Sequence, residues 1–291
     1  KFPKAWELPL EGWISAAMAW LVESATFGLF TFRDLTRFIS ALIEAPYDLV
    51  RNLLVEGFQT GLGNTAVQVA PSLSWIAVIA VVVALAYYAK DWKLAALVGA
   101  CFVYLAVFGQ WDSAMVTLAS VLISVPIGAI GGLALGILSY RYAWFEKALR
   151  PILDLMQTVP VFAYLVPILF LFGFGPVSAL VATIIYAMPP MVRVTTVALQ
   201  TVPSEVHDVG KMTGCTQRQM MWKVLVPVAT PTLMVGVNQV IMLSLNMVII
   251  ASMIGAGGLG FDVLSALRRL DIGAGVEAGL AIVVMAVALD R

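Results

Sequence analysis

The sequence predicts an all-α protein that crosses a membrane several times. Of its 291 residues, 61% are hydrophobic and only 12% are charged, a composition typical of integral membrane proteins. Two long stretches, residues 155–192 and 224–261, contain no charged residue. Between them lies a compact stretch of mixed charge, residues 205–227, which we call the polar segment. Apolar stretches of span length separated by short polar ones favour membrane helices over a soluble core.

About seven membrane spans are predicted from the apolar stretches. In chain order they are residues 73–89, 94–108, 115–138, 155–172, 177–199, 228–254 and 272–289. The first two are shorter than the ~20 residues of a usual span, yet tilt and snorkelling flanks can accommodate them. Prolines within or beside the middle spans are compatible with helices kinked around a transport path or with ordinary kinks in a packed bundle. They are Pro160, Pro167, Pro189 and Pro190.

Three regions follow from this pattern. Residues 1–70 mix charges with aromatic residues and predict amphipathic helix at a membrane interface, outside the cytoplasm. Residues 71–110 predict two additional membrane helices, and residues 111–291 a five-helix core that carries the polar segment. A span over residues 14–32 is the alternative for the first region, but Glu23 near its centre would cost ~2.5–3.5 kcal/mol on insertion.

The orientation follows from the loops that carry Lys and Arg. Cations cluster around residues 90–93, 141–150 and 211–223, while the loops at residues 109–112 and 173–176 have none. The positive-inside rule therefore places the polar segment and the C-terminus in the cytoplasm and the N-terminus on the periplasmic side. Arg268 and Arg269, in a loop assigned to the outside, run against the rule.

The polar segment has the composition of a docking element. Gly214 divides it into two short helical pieces, because glycine reaches positive φ at a sharp reversal without steric cost. Glu205 and Asp208 lie in the first piece, where carboxylates can meet arginines of a partner, and Arg218 and Gln219 open the second. A rigid helix–turn–helix of this kind can pass motion from a partner to the spans on either side. A solvated loop is the plainer alternative.

Several other sequence patterns do not indicate a binding or catalytic site. Residues 255–260 match the dinucleotide-binding glycine fingerprint, but they end a membrane helix and lack the βαβ context that this motif needs. The sequence contains no phosphate-binding P-loop and no catalytic constellation, and His207 is interpreted as a surface or interface histidine. Cys101 and Cys215 are interpreted as unpaired thiols, not as a metal site. The zero net charge gives no basis for nucleic-acid binding.

The polar segment resembles the EAA loop of ABC-transporter permeases. Asp208, Gly210, Gly214, Val224 and the Val226-Pro227 pair meet the spacing of that loop, with relaxed residue types. The flanking stretches resemble the permeases of glycine-betaine, proline and choline uptake systems over about residues 70–291. They are residues 218–224, 231–239, 248–260 and 288–291.

The resemblance implies the MetI-like transmembrane domain of a type I ABC importer in a bacterial inner membrane. It implies three kinds of protein partner: a second copy of the chain, two cytoplasmic ATPase subunits that bind ATP and Mg, and an extracytoplasmic solute-binding protein. The chain itself would be a permease and no enzyme, with no cofactor of its own. The residues expected to couple it to the ATPase are Glu205, Asp208, Gly210, Gly214, Arg218, Gln219 and Pro227.

The expected cargo is a small quaternary-ammonium or zwitterionic osmolyte, which aromatic faces can hold by cation–π contact. Asn238 and Asn246 lie about two helical turns apart and are expected to share a face. Glu277 either attracts a cation or pairs with a helix end. The residues expected along the path are Tyr164, Tyr186, Asn238, Asn246, Met253 and Glu277.

Two other classes of protein compete with this interpretation. An ion-coupled secondary transporter would be expected to carry membrane-embedded acids near mid-span and inverted repeats, and the sequence shows neither. A gated channel or membrane scaffold would use the polar segment only for assembly, and its flux would be indifferent to ATP.

Overall fold

The structure is a computed structural model that describes residues 10–23, 31–60 and 67–290. It confirms the all-α prediction, with a short antiparallel strand pair, β1 (Phe58–Thr60) and β2 (Val67–Ala70), in the N-terminal region. The helices are α1 (Leu10–Glu23), α2 (Phe32–Arg51), α3 (Trp75–Ala89), α4 (Trp92–Val107), α5 (Trp111–Arg141), α6 (Ala143–Thr158), α7 (Val161–Phe172), α8 (Pro176–Gln200), α9 (Ser204–Met212), α10 (Gln217–Gln219), α11 (Val226–Ser252), α12 (Leu259–Arg269) and α13 (Ile272–Asp290).

Four helices in the described residues are long and apolar enough to cross a membrane. They are α5, α8, α13 and the continuous helix of residues 217–252 that ends with α11. The bent pair α6–α7 makes a fifth if it is counted as one span, and α3 and α4 are shorter apolar helices. These elements account for the seven predicted segments, but by length and composition only four or five of them are full spans.

The predicted span over residues 155–172 is wrong as a continuous helix. The chain breaks at Val159 and Pro160, where α6 and α7 meet at 105°. Val159 is extended, with ψ of 131°, because a residue before proline is disfavoured in the helical region. Residues 155–158 therefore belong to α6, a helix with charged residues at Glu146, Lys147, Arg150 and Asp154.

Helix α8 is the centre of the bundle and packs mainly against α5 and α11. In its most apolar stretch 61% of the residues are buried, against 17% in α13. The crossing with α5 is close because α5 presents small residues to it: Gly132 and Gly136 face Met191 and Thr195 of α8. A Cβ on Gly136 would overlap the Thr195 side chain and approach the Val192 carbonyl oxygen to 2.9 Å.

The N-terminal helix α2 is amphipathic and packs on the bundle. Its buried residues include Ile43 and Tyr47, which join the apolar cluster built around α8. Thr31 and Asp34 form a reciprocal cap at its start, and the hydrogen bonds from Thr31 hold the pKa of Asp34 below its usual value. The alternatives for residues 14–32 lie partly outside the described residues, since 24–30 are not among them.

The glycine stretch of residues 255–260 is a turn, as its membrane context indicated. It separates α11 from α12, and Gly255, Gly257 and Gly258 have φ values of 98°, 70° and 73°. The element directly before it is helix α11 and not a strand, so the dinucleotide fingerprint is a coincidence of spacing.

The crossing of α5 and α8 predicts a strong effect of one substitution. Gly136→Val should destabilise the protein by about 1–3 kcal/mol, because a packed interface cannot absorb the added methyl groups without shifting α8. The measurement is thermal unfolding of the protein in lipid nanodiscs. Gly279→Ala is the matched control, since a Cβ at this helical glycine of α13 meets nothing within 4 Å. Equal unfolding temperatures for the two variants would contradict the close crossing.

Candidate functional site

The first half of the polar segment is a short helix with a well-defined end. Helix α9 terminates at Thr213, and Gly214 follows with φ of 72°. The Cys215 N–H donates to the Gly210 carbonyl at 3.0 Å, and the Gly214 N–H donates to the Lys211 carbonyl at 3.0 Å. These two bonds are the Schellman pattern, which requires the left-handed conformation that glycine adopts at low cost. The reversal is therefore rigid.

The second half leads directly into a membrane span. Thr216 caps it, accepting from the Gln219 N–H at 3.3 Å, while the Gln219 side-chain oxygen accepts from the Thr216 N–H at 2.9 Å. The helix then runs through a π-helical stretch, Met220–Leu225, into α11. Gln219 opens this helix by capping it, so its side chain is engaged within the segment. Pro227 is exposed and lies inside the continuous helix of residues 217–252, directly after the π-helical stretch, where it offers no N–H to the preceding turn.

The charged groups of the polar segment point to solvent. Glu205 and Arg218 are exposed, and Asp208 lies 3.7 Å from Lys211 in an exposed pair that adds little stability. Gly210 is buried, and a Cβ there would meet the Met220 side chain, so the two halves of the segment pack tightly at this point. The exposed charges are thus carried on a fixed frame and remain accessible to another protein. Their role in docking stays a prediction.

His207 ties the polar segment to the bundle. Its Nε2 lies 3.2 Å from the hydroxyl of Tyr140 on α5, and its Nδ1 lies 3.3 Å from the Pro203 carbonyl. Since a carbonyl only accepts, Nδ1 carries a proton, and in the neutral ring Nε2 then accepts from the Tyr140 hydroxyl. No local sequence pattern marks this contact, because Tyr140 and His207 lie 67 residues apart along the chain.

A groove of about 720 Å³ lies between the end of α5 and the polar segment. Arg141, Lys211 and Arg218 line it together with His207, and no carboxylate residue is among the described residues that line it. The groove therefore suits a surface that carries carboxylates. Glu205 and Asp208 lie outside its lining, so the segment presents both signs of charge.

The Tyr164 side chain, which was expected on the transport path, forms hydrogen bonds to the backbone at the break between α6 and α7. Its hydroxyl donates to the carbonyls of Met156 and Val159, at 2.7 and 3.0 Å. Pro160 lacks the N–H that would otherwise reach the Met156 carbonyl four residues earlier. Tyr164 thus supplies the missing donor at the break between α6 and α7, and its place on a transport path stays a prediction.

Two more of the expected path residues have defined surroundings. Glu277 accepts a hydrogen bond from the side chain of Gln110, at 3.2 Å, at the N-terminal end of α5. This contact brings the Glu277 side chain next to the residue that precedes α5, and its place on the path stays a prediction. Tyr186 is half-buried against the apolar cluster around α8.

The two asparagines of α11 differ in exposure. Asn238 is half-buried, whereas Asn246 is exposed on the surface of the single chain. Eight residues turn a helix by about 80° beyond two full turns, and the expectation that the two share a face stays a prediction. Asn246 belongs to a stripe, which we call the α11 face, at alternating intervals of three and four residues. Its members are Gln239, Met242, Asn246, Ile249 and Met253.

The α11 face is unusual among the outer surfaces of the bundle. The exposed residues of α5 between 122 and 138 and those of α13 between 276 and 287 are apolar and suited to lipid. Gln239 and Asn246 instead expose amide groups at membrane depth, where hydrocarbon cannot hydrogen-bond them. Gln239 and Met242 were not among the residues predicted to lie along the path, although the spacing of polar residues and methionines is visible in the sequence.

Arg193 was also missed, since it lies within a stretch predicted as a span. It forms an ion pair with Asp154 of α6, and both side chains are partly exposed. The pair links the charged helix α6 to α8. A single charge near the end of an apolar stretch is easily averaged away in a hydropathy window.

The family model of the binding-protein-dependent transport system inner membrane component matches residues 124–290. This range contains α8, the polar segment, α11 and the helices that follow. The chain belongs to this family of inner-membrane transport components, which confirms the class of protein that the EAA-like spacing indicated.

Relatives at higher identity extend over most of the chain. The glycine betaine/proline betaine transport system permease protein of Escherichia coli is 38% identical over 98% of this chain and 74% of its own length. The glycine betaine transport system permease protein of Bacillus subtilis is 42% identical over 81% of each. The trimethylamine N-oxide transport system permease protein of Pelagibacter ubique is 41% identical over 89% of this chain, but the chain spans only 37% of that protein.

A solved structure shares the fold at low identity. The inward-facing MetNI methionine ABC transporter is similar with a TM-score of 0.54 and 24% identity, covering 62% of this chain and 89% of the compared one. At this identity the likeness concerns the fold alone.

The break at Pro160 predicts a specific role for one hydroxyl. Tyr164→Phe should cost about 1–3 kcal/mol of stability, because it leaves the Met156 carbonyl without a donor inside the protein. Thermal unfolding in nanodiscs measures this. Tyr186→Phe is the control, since the Tyr186 hydroxyl makes no hydrogen bond within the described residues, and it should change stability little. An unchanged unfolding temperature for Tyr164→Phe would show that this hydroxyl does not stabilise the break between α6 and α7.

Proposed function

We propose that the chain is the permease subunit of an ATP-driven importer for small compatible solutes. The observation that carries the proposal is the polar segment: a rigid helix–turn–helix that begins within four residues of the end of α8 and continues without a break into α11. A force applied to it reaches two central spans directly. An importer driven from the cytoplasm needs such a connection, whereas a channel does not.

The solute class is inferred from the relatives and from the α11 face. The relatives are named for trimethylamine N-oxide, glycine betaine and proline betaine, all of them methylated ammonium compounds that carry an anionic oxygen. Gln239 and Asn246 offer amide donors for such an oxygen, and Met242 and Met253 offer soft apolar surface for the methyl groups. We therefore propose that the α11 face lines the path.

The partners follow from the same surfaces. We propose that a second copy of the chain covers the α11 face across the path, and that a cytoplasmic ATPase subunit docks on the polar segment of each copy. ATP and Mg would bind to that subunit, so the chain itself is proposed to catalyse no reaction. An extracytoplasmic binding protein would deliver the solute, with the C-terminus in the cytoplasm and the N-terminus outside.

The test is reconstitution of the chain in proteoliposomes with its ATPase and its binding protein. ATP hydrolysis should rise when the binding protein is loaded with glycine betaine or trimethylamine N-oxide, and solute should accumulate. Uptake that persists without the ATPase, driven by an ion gradient, would support a secondary transporter instead. Flux indifferent to ATP would support a channel.

The turn at Gly214 predicts a separation of hydrolysis from uptake. Gly214→Val should lower solute uptake per ATP hydrolysed by at least about tenfold, because a β-branched residue resists the φ of 72° that the turn requires. Gly214→Asn is the matched control, since asparagine tolerates this conformation, and it should retain most coupling. The measurement is the ratio of uptake to hydrolysis in proteoliposomes. Normal coupling in the valine variant would overturn the role of the turn.

The α11 face predicts a change in solute affinity. Asn246→Leu should raise the KM for uptake about tenfold or more, because a hydrogen bond to a charged oxygen is worth about 1.5–3 kcal/mol. Asn246→Gln keeps the amide, so its KM should lie between that of the unmodified chain and that of the leucine variant. Basal hydrolysis, measured in parallel, reports whether the assembly is intact. An unchanged KM in the leucine variant would remove Asn246 from the path.

A further inference from the structure

A small cavity lies inside the bundle where α5, α8 and α11 meet. The centre of a water molecule can occupy about 20 Å³ of this cavity. The residues that line the cavity carry no charge. Its polar lining comes from three helices: Thr117, Ser120 and Ser124 of α5, Thr183 of α8 and Ser244 of α11. The Thr117 hydroxyl is already engaged, since it donates to the Ser113 carbonyl and accepts from the Leu259 N–H, both at 2.9 Å. A cavity of roughly 10–15 Å³ by this measure is enough for one water molecule.

The other four hydroxyls around this cavity divide into two kinds. Ser120 donates to the Val116 carbonyl at 3.1 Å and Thr183 donates to the Ala179 carbonyl at 2.8 Å, so each has only acceptor capacity left. Ser124 and Ser244 are each 1% exposed, and neither hydroxyl has a hydrogen-bond partner within the described residues. They do not bond back to their own helices as the other two do.

We infer that the cavity holds one ordered water molecule that joins the three helices. Water has two protons to donate and accepts two, which matches the two acceptors, Ser120 and Thr183, and the two free donors, Ser124 and Ser244. A buried hydroxyl left without any partner would be costly, and each hydroxyl gains one in this arrangement.

A monovalent cation is the competing occupant, because four hydroxyl oxygens could also coordinate one. No carboxylate lines the cavity, so a cation would carry an uncompensated charge in an apolar interior. Water is therefore the occupant that the chemistry favours. Because the polar segment joins α8 and α11, the water bridges the two spans that the segment would move.

The inference is tested by whether removing a hydroxyl from the cavity lowers or raises the unfolding temperature. Ser124→Ala and Ser244→Ala should each lower the unfolding temperature by about 2–6 °C, because each removes a bond to the water. If the cavity were dry, each substitution would remove an unpaired buried hydroxyl, and the unfolding temperature would rise. The measurement is thermal unfolding of the intact chain in nanodiscs.

Thr195→Val is the matched control. The Thr195 hydroxyl is also buried and unpartnered among the described residues, but it does not line this cavity, so the isosteric variant should unfold at the same or a higher temperature. The Ser124→Ala/Ser244→Ala double variant should lose less than the sum of the single losses, since both hydroxyls bind one molecule. Strict additivity would overturn the shared water.

Sodium separates the two occupants. Replacing N-methylglucamine chloride by sodium chloride at constant ionic strength should leave the unfolding temperature unchanged, and a rise that Ser244→Ala abolishes would overturn water in favour of a cation. Should Ser124→Ala fail to accumulate in the membrane, Thr183→Val measures the same site from α8 and should also unfold at a lower temperature. A higher temperature for Thr183→Val would count against the water.

Discussion

The constraint on which this structure depends is that hydrocarbon offers no hydrogen bonds. Every polar group at membrane depth must find a partner inside the protein or face a surface that is not lipid. Pro160 removes a donor from the α6–α7 backbone, and the Tyr164 hydroxyl replaces it at two carbonyls. The sharp bend is tolerable only because that partner is present.

The same constraint explains how the core and the outer surface differ. In the core, hydroxyls such as those of Ser120 and Thr183 bond to the preceding turn of their own helix, and the remaining ones gather at a cavity of water size. On the surface, α5 and α13 expose apolar side chains, whereas α11 exposes amides. The exposed amides mark a span surface to which lipid offers no hydrogen bonds, and hence a side on which a path or a second copy is expected.

Much of the fold was predictable because its signals are local. The apolar segments, the division of the polar segment at Gly214 and the EAA-like spacing all follow from residues within a few turns of one another. What the sequence could not give are partners far apart along the chain, such as Tyr140 with His207 or Gln110 with Glu277. Hydropathy also could not locate the break at Pro160, since a bent pair and a straight span have the same composition, and it averaged away Arg193.

The most direct test of this account is whether the α11 face is wet in the assembled transporter. In a background with Cys101 and Cys215 replaced, single cysteines at Met242 and at Ile130 would be exposed to a membrane-impermeant thiol reagent in proteoliposomes. The two positions lie at membrane depth on α11 and on the apolar surface of α5. The account predicts that the cysteine at 242 reacts, with a rate that changes on ATP binding, while the cysteine at 130 stays unreactive. Equal protection of both positions would place the α11 face in lipid and contradict it.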